Sequence, residues 1–194
     1  MEALKERRFS YSDYISWPDD ERWEIIDGIA YNMSPAPAMP HQNISSQLIF
    51  RIMSSMDIAK SKCELFHAPC DVVLGEHDVV QPDILIVCDP KKIGPKNVQG
   101  VPDCVFEIKS PSTAVKDRKV KFSLYERYGV QTYIIVHPDV GMMEVFTLVS
   151  GSYHPGPVLD RNDTLKLEHP PITVPLDTIF PEPPAVEHKK SPLD

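Results

Sequence analysis

Apolar residues recur along the chain in two rhythms. From His41 to Met56 they fall every three or four positions: Ile44, Leu48, Ile52 and Met56 form one line, with Ile49 and Met53 widening it. That spacing gathers them on one face of an α-helix. Elsewhere the apolar runs are short and bounded by turn residues, the pattern of strands. Trp23, Ile25 and Ile26 precede Asp27-Gly28, and Ile29 to Met33 follows. An Asp-Gly pair between apolar runs predicts a tight hairpin. CDVVL, the turn GEHD and VVQPDILIVC predict a second hairpin. ILIVC is continuously apolar, as in a strand covered on both faces. CVFEIKS and TYIIVHP read as further core strands, and MMEVFTLV before SGSY as another hairpin.

Two more helices are predicted. One runs from Ser10 to Ser16, with Ser10 as N-cap and Asp13 at the capping-box position. The other runs from Asp117 to Tyr128, with an acid at its start and Gly129 just past its end. SPAPAMP must be a loop, because alternating prolines sustain neither ladder nor helix. DPKKIGPKNVQGVPD reads as a polar loop, and residues 156–180 as short strand-like pieces around prolines. LDTIF is a last helical turn or edge. The proline-rich, charged stretch 181–194 is expected to be disordered. Hairpins followed by strand, helix and strand predict a single α/β or α+β domain over residues 1–180, built on a mixed sheet.

A chain of 194 residues buries on the order of 70% of its unfolded surface, enough for a core without staples. No apolar run resembles a membrane span, and MEALKERRFS offers none for a signal peptide. The expectation is a cytoplasmic protein with no membrane partner. Cys63, Cys70, Cys88 and Cys104 show no CxxC spacing, which predicts reduced, mostly buried thiols. Acidic residues outnumber basic ones 28 to 20, for a net charge of −8. That argues against tight, non-specific nucleic-acid binding by the bulk surface. It leaves room for clustered carboxylates around a hard cation.

Pro82-Asp83 stands at the mouth of the ILIVC strand, and Glu107-Ile108-Lys109 ends CVFEIKS. Side chains alternate along a strand, so Glu107 and Lys109 share one face, opposite Phe106 and Ile108. Such charges on an apolar strand are costly unless paired or metal-bound. Taken alone, ExK also fits an exposed Glu–Lys pair on an edge strand. With Asp83 on a neighbouring strand, the two carboxylates and the Ile108 carbonyl form an oxygen set for Mg²⁺ or Mn²⁺. A lysine beside the ion can orient or help deprotonate an attacking water and stabilise negative charge. Without an ion, Lys109 is the expected counter-charge for Asp83 or Glu107. Of the other Pro-Asp pairs, Pro102-Asp103 and Pro138-Asp139 are decoys. Asp103 lies on the same strand as Glu107, and Asp139 reads as a turn.

The ordered set RWEIIDGIAYNMSPAP, His41 opening a helix, VVQPDILIV, GVPDCVFEIKSPST, Asp117 with Lys121, and YGVQTYIIVHP resembles the Uma-two family. That family is a branch of the PD-(D/E)XK nuclease superfamily, and the resemblance spans about residues 9–180. It implies a restriction-endonuclease-like core, with a mixed central sheet flanked by helices. It also implies a metal-dependent endonuclease acting on DNA, as a homodimer by analogy, with Asp83 and Glu107 as metal ligands. Lys109 fills the motif's lysine place, which many members lack. Lys121 matches the family's helix lysine and is a further catalytic candidate; the plainer reading is a surface pair with Asp117. Glu24 matches an early acid that completes the metal site; the plainer reading is a solvated residue beside Trp23. His41 either serves the site or simply begins its helix. A catalytically weak, nuclease-fold binding or accessory protein is the alternative function, and the acidic net charge favours it.

Overall fold

Ser10 caps α1 (Tyr11–Tyr14) through the predicted box: its hydroxyl accepts the Asp13 N–H, and the Asp13 carboxylate accepts the Ser10 N–H. The helix is one turn long, shorter than predicted. The computed structural model of the protein describes residues 8–18, 20–33, 38–109 and 117–180, without the side chains of residues 117 and 118. Most of the proline-rich loop before residue 38 and the predicted tail at 181–194 lie outside them. β1 (Trp23–Ile26) and β2 (Ile29–Asn32) form the predicted hairpin. Asp27 and Gly28 both have positive φ, 52° and 78°, as a type I′ turn requires.

α2 (Met39–Ile58) is longer than its apolar stripe predicted, with Pro40 in the first turn, where a missing N–H costs nothing. Ile44, Leu48, Ile52 and Met56 are buried along one line, and Ile49 packs beside them. Met53 is 54% exposed, contrary to the predicted wider stripe. At 100° per residue it falls about 120° from the centre of the buried line. Leu48 is fully buried, so Leu48→Ala is expected to cost about 2–5 kcal/mol. Urea unfolding would show this as a lower midpoint with unchanged slope.

Next come β3 (Glu64–His67), β4 (Val72–Gly75), β5 (Asp78–Val80), β6 (Ile84–Val87), β7 (Val98–Gln99) and β8 (Cys104–Ile108). β4 and β5 pair as the predicted hairpin. VVQPDILIVC, however, is two strands in two sheets: β5 ends at Val80 and β6 begins at Ile84. Pro82 has no N–H for a ladder, so the chain changes sheets across Gln81-Pro82-Asp83. The predicted helix from Asp117 is a wide π-type turn (Asp117–Lys121) leading into α3 (Phe122–Tyr128), and Gly129 closes it at φ 85°. β9 (Thr132–His137), β10 (Met142–Val149), β11 (Ser152–Asp160), β12 (Thr164–Leu167) and β13 (Ile172–Pro175) follow. LDTIF opens with a single tight turn (Leu176–Thr178).

The fold is mixed α+β. The central six-stranded sheet has the order β11-β10-β9-β8-β6-β3, with β8 and β9 parallel and the other pairs antiparallel. A five-stranded sheet has the order β2-β1-β5-β4-β7, and β12 pairs with β13. Alternation in the central strands builds two cores. Ile84, Ile86, Phe106, Ile108 and Ile134 pack with α2 and the β12–β13 ribbon. Leu85, Val87, Val105, Tyr133 and Ile135 pack with α3 and the smaller sheet. Among the described residues no helix is long and apolar enough to cross a membrane.

One cysteine expectation fails. Cys63 and Cys88 are joined as a disulfide. β3 pairs antiparallel with β6, Glu64 opposite Val87, so Cys63 and Cys88 are the next pair outward. β3 was not predicted, so spacing could not reveal this. Cys70 and Cys104 are free. Burial pushes the Cys104 thiol well above its ordinary value, which makes it an inert core residue.

Candidate metal centre

β6 and β8 run antiparallel with Ile84 opposite Phe106. Asp83, just before β6, and Glu107, just after Phe106 in β8, flank this last pair. Ile108 fastens this end: its N–H donates to Asp83 Oδ2 at 2.7 Å. Ala68 N–H donates to the Asp83 carbonyl at 3.1 Å. Among the described residues Asp83 Oδ1 accepts no hydrogen bond.

Glu107 is buried, at 5% exposure. Its Oε1 lies 2.9 Å from Lys121 Nζ and accepts the Tyr125 hydroxyl at 2.7 Å. Lys121 and Tyr125 are one helical turn apart, so both reach one oxygen. Lys121 Nζ also lies 2.8 Å from Glu24 Oε1, which accepts the Gln81 N–H at 3.0 Å. Glu24 and Lys121 are each 3% exposed. One buried ammonium therefore bridges two buried carboxylates, from β1 and β8. Such burial persists only because the charges are paired and hydrogen-bonded. Gln81 is itself gripped by Arg22 and by Asp71, at 2.8 Å each. Tyr125 is kept protonated: burial, then the Glu107 and Glu24 charges, push its hydroxyl far above the ordinary value.

His41 Nε2 stands 3.2 Å from Asp83 Oδ2. Burial works to lower the imidazole pKa, but the Asp83 hydrogen bond and charge, with the Ile108 backbone, outweigh it and raise the value. His41 Nδ1 is buried and has no hydrogen-bond partner among the described residues.

Asp83 thus joins Ile108 at one strand end, and the neighbouring Glu107 joins Glu24 through Lys121. The plainer expectations for Glu24 and Lys121 fail, since neither is on the surface; the Asp117 side chain lies outside the described residues. Lys109 is half-buried, and its N–H donates to the Val136 carbonyl at 2.9 Å. Among the described residues Lys109 makes no ion pair with Asp83 or Glu107. The counter-charge expected of it comes from Lys121, whose turn and helix cover that face of the sheet. Tyr125 was not predicted as a site residue, although its place four residues after Lys121 was the available signal. Asp103 lies at the far end of β8, where it accepts the Cys88 N–H at 2.7 Å. Asp139 sits in a turn, as expected.

Glu24 and Glu107 share the Lys121 ammonium, while the Asp83 carboxylate faces His41 and the Ile108 N–H. Carboxylate oxygens, an open Asp83 oxygen and an orphaned imidazole nitrogen are donor types that suit a divalent cation, whereas the described side chains already gathered closely enough for one are Cys88, Asp103 and His169.

A mixed central sheet flanked by helices has the restriction-endonuclease-like architecture of PD-(D/E)XK nuclease folds. The chain belongs to the Uma2 family, whose sequence profile, described as "Putative restriction endonuclease", matches residues 11–175. It is 28% identical over 133 residues to an uncharacterized protein, slr1290, of Synechocystis sp. (strain ATCC 27184 / PCC 6803 / Kazusa), covering 66% of this chain and 68% of that protein. Its fold is similar to a crystal structure from Anabaena variabilis ATCC 29413, described as "a putative nuclease belonging to DUF820". There the TM-score is 0.72 at 17% identity, covering 89% of this chain and 97% of the other.

Proposed function

We propose that this chain is a Mg²⁺- or Mn²⁺-dependent endonuclease that hydrolyses DNA phosphodiester bonds. The observation that supports the reading is the 2.7 Å bond from Ile108 N–H to Asp83, which ties the acid before β6 to the end of β8 beside Glu107. Asp83, Glu107 and the Ile108 carbonyl would hold the ion, with Glu24 completing the acidic set. Once bound, the ion would neutralise phosphoryl charge and lower the pKa of a water. Lys109, next in the chain, holds and polarises the attacking water and stabilises developing negative charge. Lys121 pairs with Glu107 and aims it, and Tyr125 fixes the same oxygen. His41 orients Asp83. Cutting both strands favours two copies of the site, hence a homodimer.

The acidic net charge of −8 favours a second reading, a nuclease-fold accessory protein without catalysis. Calorimetric Mn²⁺ titration separates the two. The nuclease reading expects one ion per chain, lost in Asp83→Ala and Glu107→Ala. Binding that ignores both substitutions, or none at all, would favour the accessory role.

A further inference from the structure

β6 and β8 have a second chemically loaded end. From Asp83 to Cys88 is five residues, about 17 Å along a strand, and there the donors are of another kind. Cys88 Sγ, an Asp103 carboxylate oxygen and a His169 ring nitrogen all lie within 4.8 Å of one another. Cys63 Sγ is bonded to Cys88. These residues come from four segments: the entry to β3, the exit of β6, the entry to β8 and the β12–β13 turn.

We propose that this cluster is a thiol-gated zinc site, closed as the Cys63–Cys88 disulfide and opened by reduction. Two thiolates, an imidazole and a carboxylate are a donor set that Zn²⁺ takes in tetrahedral geometry. Metal–ligand bonds of about 2.0–2.3 Å put tetrahedral donor atoms roughly 3.2–3.8 Å apart. Donors already within 4.8 Å of one another need only side-chain adjustment. Asp103 is held for the role. Its carboxylate accepts the Cys88 N–H at 2.7 Å, and its backbone bonds Ile86 and Thr132. Its other carboxylate oxygen faces His169 Nε2 at 3.7 Å. His169 is exposed, and Cys63, Cys88 and Asp103 are half-buried, so an ion can enter from solvent.

The chemistry balances with a small dithiol as reductant. It gives two electrons and two protons to the Cys63–Cys88 bond and becomes a disulfide itself. Zinc then displaces the two thiol protons as it binds. A small-molecule disulfide runs the sequence backwards and expels the ion. In the reduced form the metal would replace the covalent tie between β3 and β6 and add the β12–β13 ribbon to it.

The test uses the full chain, reduced or oxidised, titrated with Co²⁺ and with Zn²⁺. The reduced protein should bind one Co²⁺ with thiolate-to-cobalt charge-transfer absorption, bleached by one equivalent of Zn²⁺. The carboxylate centre at the other strand end contains no sulfur and cannot produce that band. The oxidised protein should lack it, and Cys88→Ser should abolish it. His169→Ala, on an exposed turn, should weaken zinc by more than the roughly 10–100-fold that loss of an outer-shell partner costs. Absence of the band in reduced protein, its presence in oxidised protein, or unchanged affinity in His169→Ala would overturn the proposal.

Discussion

Lys121→Ala is expected to cost the fold about 3–5 kcal/mol, the usual penalty for stripping one partner from a buried ion pair. The cost comes from what remains. Glu24 and Glu107 would be left in a buried pocket with no ammonium between them, where Lys121 now sits 2.8 and 2.9 Å from the two. The Gln81 N–H and the Tyr125 hydroxyl would each still serve one of the acids, but a neutral donor does not replace an ammonium. The double variant Lys121→Ala with Glu24→Gln should recover part of the loss, because one uncompensated charge disappears. That coupling, read from urea midpoints in a double-mutant cycle, is the quantity to measure. A single-variant loss below about 1 kcal/mol is what exposed pairs give and would contradict the buried bridge.

The second large effect is on rate. Under the nuclease reading, Lys109→Ala should keep Mn²⁺ affinity while slowing single-turnover cleavage roughly 10²–10⁴-fold, the range for losing a general acid–base or charge-stabilising group. The split is expected because the Lys109 side chain pairs with neither Asp83 nor Glu107 among the described residues, whereas the Lys109 N–H bond to the Val136 carbonyl survives the substitution. The pocket would therefore keep its shape. Cleavage by Lys109→Ala at the wild-type rate would remove Lys109 from the machinery and make Lys121 the lysine to examine.

Some of this was legible in the sequence because the signals are local. The Asp27-Gly28 turn, the Ser10–Asp13 capping box and the Ile44-to-Met56 line each depend on neighbours within a turn or two. For Asp83 and Glu107, strand alternation and a family resemblance pointed to the same strand end, where the Ile108 N–H reaches Asp83. The rest depended on tertiary placement. The break between β5 and β6 hides in an apolar run where only Pro82 marks the change of sheet. β3 went unpredicted, and with it the Cys63–Cys88 pairing, since ELFH shows little periodic contrast. Which lysine serves Glu107 was decided by the wide turn at Asp117–Lys121. A plain helical wheel gives no hint of that turn, and π-type turns often mark functional sites.

Cleavage of supercoiled plasmid by the purified chain with Mn²⁺, beside Glu107→Ala and a chelator control, tests the central claim most directly. The account predicts nicked and linear products from the wild type, none with chelator, and a rate at least about 10²-fold lower for Glu107→Ala. Equal cleavage by wild type and Glu107→Ala, or none by a wild type that binds Mn²⁺ through Asp83 and Glu107, would contradict it.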